Sequence, residues 1–328
     1  MQLQKQMQEA PQEFFSAAIQ VRQTQTNKGR GIFAKQIIPQ GSLIIASQAV
    51  VCTDDPTSEN VEALFSQIEP TLTTEQREDF ARLQKSHGPG ICSAFSTNAY
   101  KTVPNLQSSE KVGLFLKFSF MNHSCCPSAV QLYDGDQVYV ITTKIIFQDD
   151  EITTSYLHGD NFWWVGGRQN YLKQFNFTCD CELCMYQETK SYIDLQVKFD
   201  KILKQKRNKQ QLVILNDVYM VMLQDLLSHN FPMVDGFYES LIGFIEENNT
   251  ENCSQIIKSF IQILKKLSVS HKPDFAILVK VLILLKRKNV IEFEELKQLS
   301  YQFELDRIGQ LDYVYRKFKK QVERIGMK

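Results

Sequence analysis

The pattern of apolar and polar residues at the start of the chain predicts a tail followed by short strands. Residues 1–17 begin with a stretch that is rich in Gln and Met and lacks a long apolar run, and we interpret them as a flexible N-terminal tail or a fraying helix. From residue 18 apolar positions alternate with polar ones, as at Ile19 and Val21, and an apolar run follows at Leu43–Ile45. Alternation is typical of a half-buried strand and a short apolar run of a buried one. This part of the chain is therefore expected to be β-rich.

The apolar spacing becomes helical in the next stretch, residues 51–113. Apolar residues at 61, 64, 65 and 68 are three and four apart, which places them on one face of a helix. Thr73 and Gln76 form the pattern of a capping box, in which the two residues satisfy each other's backbone N–H groups at a helix start. We therefore predict a helical insert at 51–113, between two β-rich pieces.

Strands are predicted to resume after this insert. Apolar and polar residues alternate in Ala129–Tyr133 and in Gln137–Thr142. Asp134-Gly135, which lies between them, is a signal for a two-residue type I′ hairpin turn. A further strand is predicted around Ile152.

The remainder of the chain, residues 191–328, shows apolar spacing of three and four and is predicted to be all-helical. Breaks in the spacing fall near Pro232, at residues 248–249 and near Pro273, because asparagine and proline interrupt helices. We find no clean repeat period. The basic cluster at 201–209 is interpreted as a solvated helix face rather than as a nuclear signal or a nucleic-acid patch.

The composition is that of an ordinary folded protein, with 43% hydrophobic and 23% charged residues, which argues against wholesale disorder. Lys+Arg and Asp+Glu both number 37, so no global charge attracts nucleic acid or an acidic membrane surface. No run approaches the ~18 apolar residues of a membrane span, and residues 1–15 show no secretory signal. We therefore expect a soluble intracellular protein. The eight cysteines of such a protein are expected to be thiols or metal ligands rather than disulfides.

Three of these cysteines form a metal-ligand pattern. Cys179, Cys181 and Cys184 make a C-x-C-x-x-C cluster, which is one ligand short of a closed, structural four-cysteine zinc site. The fourth ligand could come from the distant loop that contains Cys125 and Cys126. The competing interpretation is that these residues are buried free thiols. Three cysteines within six residues favour the metal site.

Five strings of residues resemble the motifs of SET-domain protein lysine methyltransferases, in the order that the family has them. They are Lys28-Gly29-Arg30-Gly31-Ile32-Phe33-Ala34, Thr97-Asn98-Ala99-Tyr100, Met121-Asn122-His123-Ser124-Cys125-Cys126-Pro127, Asp150-Glu151-Ile152-Thr153-Thr154-Ser155-Tyr156 and Phe177-Thr178-Cys179-Asp180-Cys181-Glu182-Leu183-Cys184. The resemblance covers residues 18–184 and is similar to the SET-and-MYND branch. Only Cys52 and Cys92 fall where that branch carries its MYND zinc finger, so a MYND module is not implied.

The resemblance implies an α+β protein, in which a β-rich SET fold with a helical insert and a zinc-bound post-SET segment is followed by an all-helical C-terminal domain. The SET domain is expected at 18–160, the post-SET zinc segment at 161–190 and the helical domain at 191–328. By the same resemblance, the zinc ligands are Cys125, Cys179, Cys181 and Cys184, with Cys125 preferred to Cys126 because it holds the position of the family motif.

The resemblance also implies S-adenosylmethionine as the methyl donor. The positions that match the donor-binding motifs are Gly29, Arg30, Gly31, Asn98, Asn122, His123, Tyr156 and Phe177. The glycine loop is expected to pass the methionine part of the donor, and Asn98 to hold its polar end. Asn122 and His123 are expected to meet ribose and adenine, and Phe177 to stack on adenine. On spacing alone, the two glycines would be interpreted as a hairpin loop.

Tyr156 matches the family's essential tyrosine, whose hydroxyl lies at the methyl-transfer pore. It is expected to orient the lysine amine and to polarise the donor. A phenol titrates near ~10, so we do not expect Tyr156 to act as a strong base. Phe175 is expected to line the substrate channel together with Tyr156.

Three positions depart from the family pattern. Ser128 stands where asparagine is common, Asp149-Asp150 where a Gly-Glu pair is usual, and Phe175 where close relatives often carry a channel tyrosine. The first two are interpreted as tolerable loop changes. The third removes a hydroxyl from the channel and leaves the degree of methylation open.

The leading hypothesis is thus a protein-lysine methyltransferase of the nucleus or cytoplasm. Its substrates would be lysines of histones or of other proteins. Its partner would be a protein with an accessible lysine, with no membrane or direct nucleic-acid binding, and it is expected to be a monomer. The alternative is a zinc-stapled interaction protein that keeps the SET fold with little activity. A zinc-finger nucleic-acid binder is disfavoured, because paired finger spacing is missing and the net charge is zero.

Overall fold

The computed structural model describes residues 13–24, 28–85, 87–102, 111–157, 164–203, 217–221 and 243. The described residues fall into two units. The first contains those up to Ser155 together with Gln174–Phe177, and the second contains Tyr156–Lys173 and those from Thr178 onwards. The predicted helices beyond residue 221 lie outside the described residues, as do residues 1–12 of the predicted tail.

The first unit is β-rich, and its strands form three sheets. The strands are β1 (Phe14–Phe15), β2 (Ile19–Gln23), β3 (Arg30–Ala34), β4 (Leu43–Gln48), β5 (Val51–Thr53), β6 (Tyr100–Thr102), β7 (Lys111–Leu114), β8 (Asn122–His123), β9 (Ala129–Asp134), β10 (Gln137–Thr142) and β11 (Glu151–Thr154). The sheet orders are β1-β4-β10-β9, β2-β3-β11-β8 and β5-β7-β6. The strands predicted around Ile19, Leu43–Ile45 and Ile152, and the α+β class of this part, are confirmed.

The first sheet contains the predicted hairpin, but its turn differs from the prediction. Strands β9 and β10 pair antiparallel with Asp134 opposite Gln137, so the loop is Gly135-Asp136 and begins one residue later than predicted. Gly135 has φ +63°, and among the described residues only Asp149 and Asn176 are non-glycines with positive φ. A glycine with positive φ at the first loop position alone fits a type II′ turn rather than the predicted type I′ turn.

The end of the predicted tail is ordered as a strand. Phe14 and Phe15 pair antiparallel with Ala46 and Ile45 of β4, which extends the first sheet by one strand. Both phenylalanines are half-buried. The prediction of a flexible tail therefore fails at its C-terminal end, because two adjacent aromatic residues gain burial by pairing with a core strand.

The insert is only partly helical. It holds α1 (Ser58–Ile68), α2 (Thr74–Arg82) and α3 (Ile91–Asn98). Its two ends, however, pair with each other: β7 lies between β5 and β6 and is antiparallel to both. The prediction of an insert made of helices missed this sheet, because three- and four-residue strands carry too little alternation to be recognised.

The capping box at the start of α2 is confirmed. The backbone N–H of Gln76 donates to Thr73 Oγ1 at 3.2 Å, and the backbone N–H of Thr73 donates to Gln76 Oε1 at 3.0 Å. Helix α2 is then tied to the residues after β7 by Lys117, whose ammonium contacts Glu75 Oε1 at 2.6 Å and Asp79 Oδ2 at 2.7 Å. Burial lowers the pKa of Lys117, but the hydrogen bonds to the two carboxylates outweigh burial and raise it.

The core of the first unit is apolar, and some of its residues directly adjoin the strings that resemble the SET-domain motifs. Side chains that are almost fully buried include Ile32, Ile44, Ile45, Leu114, Phe115, Phe118 and Met121. Burial of such a side chain stabilises the fold by about 1.5–3 kcal/mol. Met121 directly precedes the Asn-His string, so the core anchors that string from one side.

The second unit is helical where it is described. It contains α4 (Val165–Leu172), α5 (Glu182–Gln187) and α6 (Lys190–Leu203). Leu172 and Leu183 are buried, as is Tyr192, whose ring contacts Trp164 and Tyr186 edge-on. Among the described helices, none combines the length and the apolar character that crossing a bilayer requires.

Candidate functional site

Strands β3, β8 and β11 contain parts of the strings that begin at Lys28, Met121 and Asp150, and they bring these strings together. We call these three strands the strand crossing. Strand β11 pairs antiparallel with β3, and parallel with β8, so that Thr153 lies opposite Asn122 and Thr154 opposite His123. The Asn-His string therefore lies beside the strand that leads to Tyr156. Tyr156 is half-buried and follows the last residue of β11 by two positions.

Gly31 lies where the strand crossing is most closely packed. A Cβ on this residue would clash with Glu151 Oε1 and would lie 2.9 Å from Asn122 Nδ2. Asn122 Nδ2 itself donates to Glu151 Oε1 at 2.7 Å and to the carbonyl oxygen of Arg30 at 3.0 Å. Glycine is therefore required here for close approach rather than for backbone freedom. The residue that sequence reasoning missed is Glu151, although it lies inside a recognised string.

Gly29 serves a different purpose from Gly31. It has φ +75°, and its carbonyl oxygen accepts hydrogen bonds from the N–H and the hydroxyl of Thr24, both at 2.7 Å. Strands β2 and β3 form an antiparallel hairpin on either side of this bend. The hairpin interpretation of the glycine loop is thus correct, and it is compatible with a ligand-binding role for the same loop. Arg30 is exposed, and it donates to the carbonyl oxygen of Arg82.

His123 and Phe177 are neighbours. Their ring centroids are 6.0 Å apart with the planes at 46°, and His123 is almost fully buried whereas Phe177 is half-buried. Asn176, which separates Phe177 from Phe175, has φ +59°. This left-handed residue changes the direction of the chain between the two aromatic residues. Phe175 is half-buried at the end of a 3₁₀ turn.

Asn98 ends helix α3, and its side chain holds that end in place. Its Nδ2 donates to the carbonyl oxygens of Gln84 at 2.7 Å and of Ala94 at 2.8 Å. Both amide hydrogens are engaged with the backbone, so a ligand could meet only the acceptor oxygen of this side chain. Asn98 is 9% exposed.

Two departures from the family pattern have structural explanations. Ser128 and Thr153 bond reciprocally: Thr153 N donates to Ser128 Oγ at 3.0 Å, and Ser128 N donates to Thr153 Oγ1 at 3.3 Å. Asp149 has φ +68°, a conformation that glycine adopts most readily and that aspartate is among the side chains to tolerate. Its carboxylate also accepts from Arg22 Nη1 at 2.8 Å.

Four cysteines converge in what we call the cysteine cluster: Cys125, Cys179, Cys181 and Cys184. Their sulfur atoms all lie within 4.8 Å of one another and could hold a metal ion. With Zn–S bonds of about 2.3 Å, sulfur atoms in a tetrahedral site are about 3.8 Å apart, so a small contraction would complete such a site. Cys126 is not part of this group among the described residues. The choice of Cys125 over Cys126 therefore agrees with the structure.

Polar side chains border the cysteine cluster, and two of them, Arg168 and Gln169, were not among the predicted site residues. Gln169 of α4 contacts the backbone of Cys179 twice: its Nε2 donates to the carbonyl oxygen at 2.6 Å, and its Oε1 accepts from the N–H at 2.9 Å. His123 Nε2 lies 3.2 Å from Cys125 Sγ. Arg168, next to Gln169, also reaches the cluster. The only sequence signal for Gln169 and Arg168 is that they lie about ten residues before the cysteines.

Comparison with known proteins supports the strings that lie before residue 158. Residues 29–157 match the SET domain family. The Schizosaccharomyces pombe histone-lysine N-methyltransferase set5 is 33% identical over 168 residues, which cover 50% of this chain and 50% of that protein. The Arabidopsis thaliana histone-lysine N-methyltransferase ASHR1 is 36% identical over 93 residues, 28% of this chain and 19% of that protein.

A vertebrate relative matches over a shorter stretch. The Gallus gallus N-lysine methyltransferase SMYD2 is 36% identical over 76 residues, 23% of this chain and 17% of that protein. The chain spans half or less of the length of these three relatives. The chain therefore contains a SET domain, and through that domain it is related to the SET-domain lysine methyltransferases.

Proposed function

We propose that this chain is a protein-lysine N-methyltransferase that uses S-adenosylmethionine. The observation that carries the proposal is the strand crossing, in which Gly31, Asn122 and Glu151 are in mutual contact and the Asn-His string is paired with the strand that leads to Tyr156. The names of the relatives, which are histone-lysine or N-lysine methyltransferases, support the same reaction.

Asn98, His123 and Phe177 each suit one part of the donor. Asn98 presents an acceptor oxygen, which suits an ammonium group, because both of its amide hydrogens are already engaged. The His123 and Phe177 rings offer the aromatic and apolar surface that an adenine base requires. When bound, S-adenosylmethionine supplies an electrophilic methyl group.

The chain's own task in the reaction is to present a neutral lysine amine in line with that methyl group. A lysine in water has a pKa of about 10.4, so the ammonium must lose its proton before transfer. An apolar channel lowers that pKa by desolvation. In the proposal Tyr156 accepts or donates a hydrogen bond that orients the amine, and Phe175 lines the channel. Holding the two reacting groups in line can lower the barrier by several kcal/mol.

A structural zinc ion in the cysteine cluster belongs to the same proposal. Four thiolates form a closed site with no open position for substrate, which suits a structural rather than a catalytic metal. Cys125, Cys179 and Cys184 are buried and Cys181 is half-buried, so the set is shielded from solvent as such sites usually are.

The proposal is tested with Tyr156→Phe, which removes one hydroxyl. Transfer of labelled methyl groups to histones and to a lysate protein pool should fall about 10²–10³-fold, the usual effect of losing one catalytic hydrogen-bonding group. The melting temperature and zinc content should stay unchanged. Tyr139→Phe on β10 serves as the matched control and should retain full activity.

Two results would separate the proposal from its alternatives. Full activity in Tyr156→Phe would show that the pore residue is wrongly assigned. A wild-type protein that binds S-adenosylmethionine but transfers nothing to any protein would favour the second candidate, a SET-fold interaction protein. For an active enzyme, mass spectrometry of methylated peptides would identify the substrate lysines and whether they carry one, two or three methyl groups.

A further inference from the structure

The largest fully buried side chain in the described residues is a charged one. Arg168 is 0% exposed, and it lies in α4 next to Gln169. Its Nη2 donates to Cys184 Sγ at 3.6 Å, and Cys184 is also 0% exposed. The second unit therefore places a guanidinium directly against one of the four sulfur atoms of the cysteine cluster.

This contact has an electrostatic consequence for metal binding. Four thiolates around a divalent ion carry a net charge of −2, and a buried charge is costly unless an opposite charge compensates it. A guanidinium cannot be deprotonated in a protein, so its positive charge is permanent. Arg168 Nη2 donates to Cys184 Sγ, so this positive charge lies in direct contact with one of the four sulfur atoms.

Arg168 and its neighbour act on the cluster by different means. Gln169 bonds to the backbone N–H and carbonyl of Cys179, so it fixes where that cysteine lies without touching a sulfur atom. Arg168 touches a sulfur atom and adds charge. One helix thus supplies both the position of the first cysteine of the C-x-C-x-x-C segment and the charge beside the last.

We infer that Arg168 is an outer-sphere positioning residue of the metal site, which donates a hydrogen bond to the Cys184 sulfur and neutralises part of the charge of the bound cluster. The inference rests on the proposed zinc site. It goes beyond the ligand set, because it makes metal affinity depend on a residue that is not itself a ligand.

The test compares Arg168→Met, which keeps most of the volume without the charge, with Gly166→Ala as the control on the same helix, where an added Cβ meets nothing within 4 Å. Zinc affinity is measured on the full chain by competition with a chelator. The sulfur-to-metal charge-transfer band is recorded after cobalt(II) replaces zinc. Loss of an outer-sphere partner typically weakens metal binding 10- to 100-fold.

Arg168→Met should weaken zinc binding by this factor and move the cobalt band to lower energy, because the Cys184 lone pairs are no longer stabilised by a hydrogen bond. Gly166→Ala should leave both the zinc affinity and the cobalt band as in the wild type, because it touches neither the cysteines nor Arg168. Zinc affinity and a cobalt band like those of the wild type in Arg168→Met would overturn the inference.

A third variant covers the case in which Arg168→Met does not fold. Arg168→Lys keeps the charge but loses the planar donor group, so its cobalt band should be displaced while its zinc affinity falls less. An unchanged band in this variant would also overturn the inference. A wild-type chain that binds no zinc would reject the metal site itself, which is a separate failure and is seen before any variant is made.

Discussion

The strand crossing and the cysteine cluster are held together in opposite ways. In the strand crossing, backbone pairing sets the positions of β3, β8 and β11, and the Asn122 amide is satisfied by Glu151 and by a carbonyl oxygen. In the cysteine cluster, four sulfur atoms meet that would repel one another as thiolates. The first is held by the chain's own hydrogen bonds, whereas the second holds the zinc ion of the proposed function.

This difference predicts how each responds to change. A site fixed by strand pairing fails through steric clashes, because its interior is already full. A site fixed by a metal fails through the loss of one ligand, because the binding free energy is shared by all four. Chelation should therefore disturb the cysteine cluster and leave the hydrogen bonds of the strand crossing intact.

The largest effect is expected from Cys125→Ser, which removes one ligand of the cysteine cluster. Zinc should fall well below one ion per chain, and a metal bound a hundredfold more weakly lowers the free energy of unfolding by about 3 kcal/mol. Zinc analysis and denaturant unfolding measure both. Cys126→Ser, one residue away and outside the cluster, should bind zinc as the wild type does. Equal zinc loss in the two variants would contradict the ligand set.

Gly31→Ala attacks the strand crossing directly and should have the next largest effect. The added Cβ meets Glu151 and Asn122, so the free energy of unfolding should fall by about 2 kcal/mol and donor binding should weaken. Urea unfolding and calorimetric titration with S-adenosylmethionine provide the measurements.

The matched control for this substitution is Gly166→Ala in α4, where a Cβ meets nothing within 4 Å. This change should be neutral or should stabilise the protein by up to about 1 kcal/mol, because alanine favours helices over glycine. If both alanine variants behaved alike, close packing at Gly31 would not be the reason for glycine there.

Lys117→Met should cost about 1–2 kcal/mol of unfolding free energy. The substitution leaves Asp79, which is 4% exposed, without its ion pair. The lost ion pair with Glu75 adds less to this cost, because Glu75 is exposed and solvent screens its charge. Chemical denaturation checks this against Lys144→Met, which changes an exposed lysine and should have little effect.

The stabilisation that the Lys117–Glu75 ion pair provides should depend on pH, because the pair shifts the pKa of Glu75. The hydrogen bond from Lys117 lowers the pKa of Glu75, so this stabilisation is present above the ordinary carboxyl pKa and is lost as the pH falls through the folded-state value. The difference between wild type and Lys117→Met should accordingly narrow in acid. A difference that grew on acidification would contradict the assigned contacts.

The smallest effect is expected from Thr73→Ala, which removes the oxygen that caps α2. The free energy of unfolding should fall by about 1 kcal/mol, because the N–H of Gln76 loses its partner. Thermal unfolding is sufficient to detect it. Thr74→Ala, at the first residue of the helix, leaves the cap in place and should change stability little.

The sequence predicted those structural features that depend on residues close together in the chain. The capping box at Thr73 and Gln76 was predictable because both partners lie within four residues. The pairing of β5 with β7 was not, because it joins residues about 60 apart through strands too short to show a period. The displaced turn at Gly135 shows the same limit, since cross-strand register decides which two residues form the loop.

The residues of the candidate site also differ in whether the sequence alone could identify them. The identities of Gly31, Asn122 and the cysteines were available from their strings, whereas the contacts of Glu151 and Arg168 were not. A buried charge is satisfied by partners distant in sequence, and spacing carries no information about them. The choice between Cys125 and Cys126 also required the fold, because adjacent residues direct their side chains differently.

The order in which the strand crossing can form during synthesis follows from its connectivity. Strand β3 finds β2 at once, but Phe33 pairs with Glu151 only after about 120 further residues have left the ribosome, which takes roughly 6–24 s at ordinary elongation rates. Until then one edge of β3 is open to other strands. Newly made protein should therefore depend on chaperones during this interval, and a chain that stops before residue 151 should aggregate rather than bind a methyl donor.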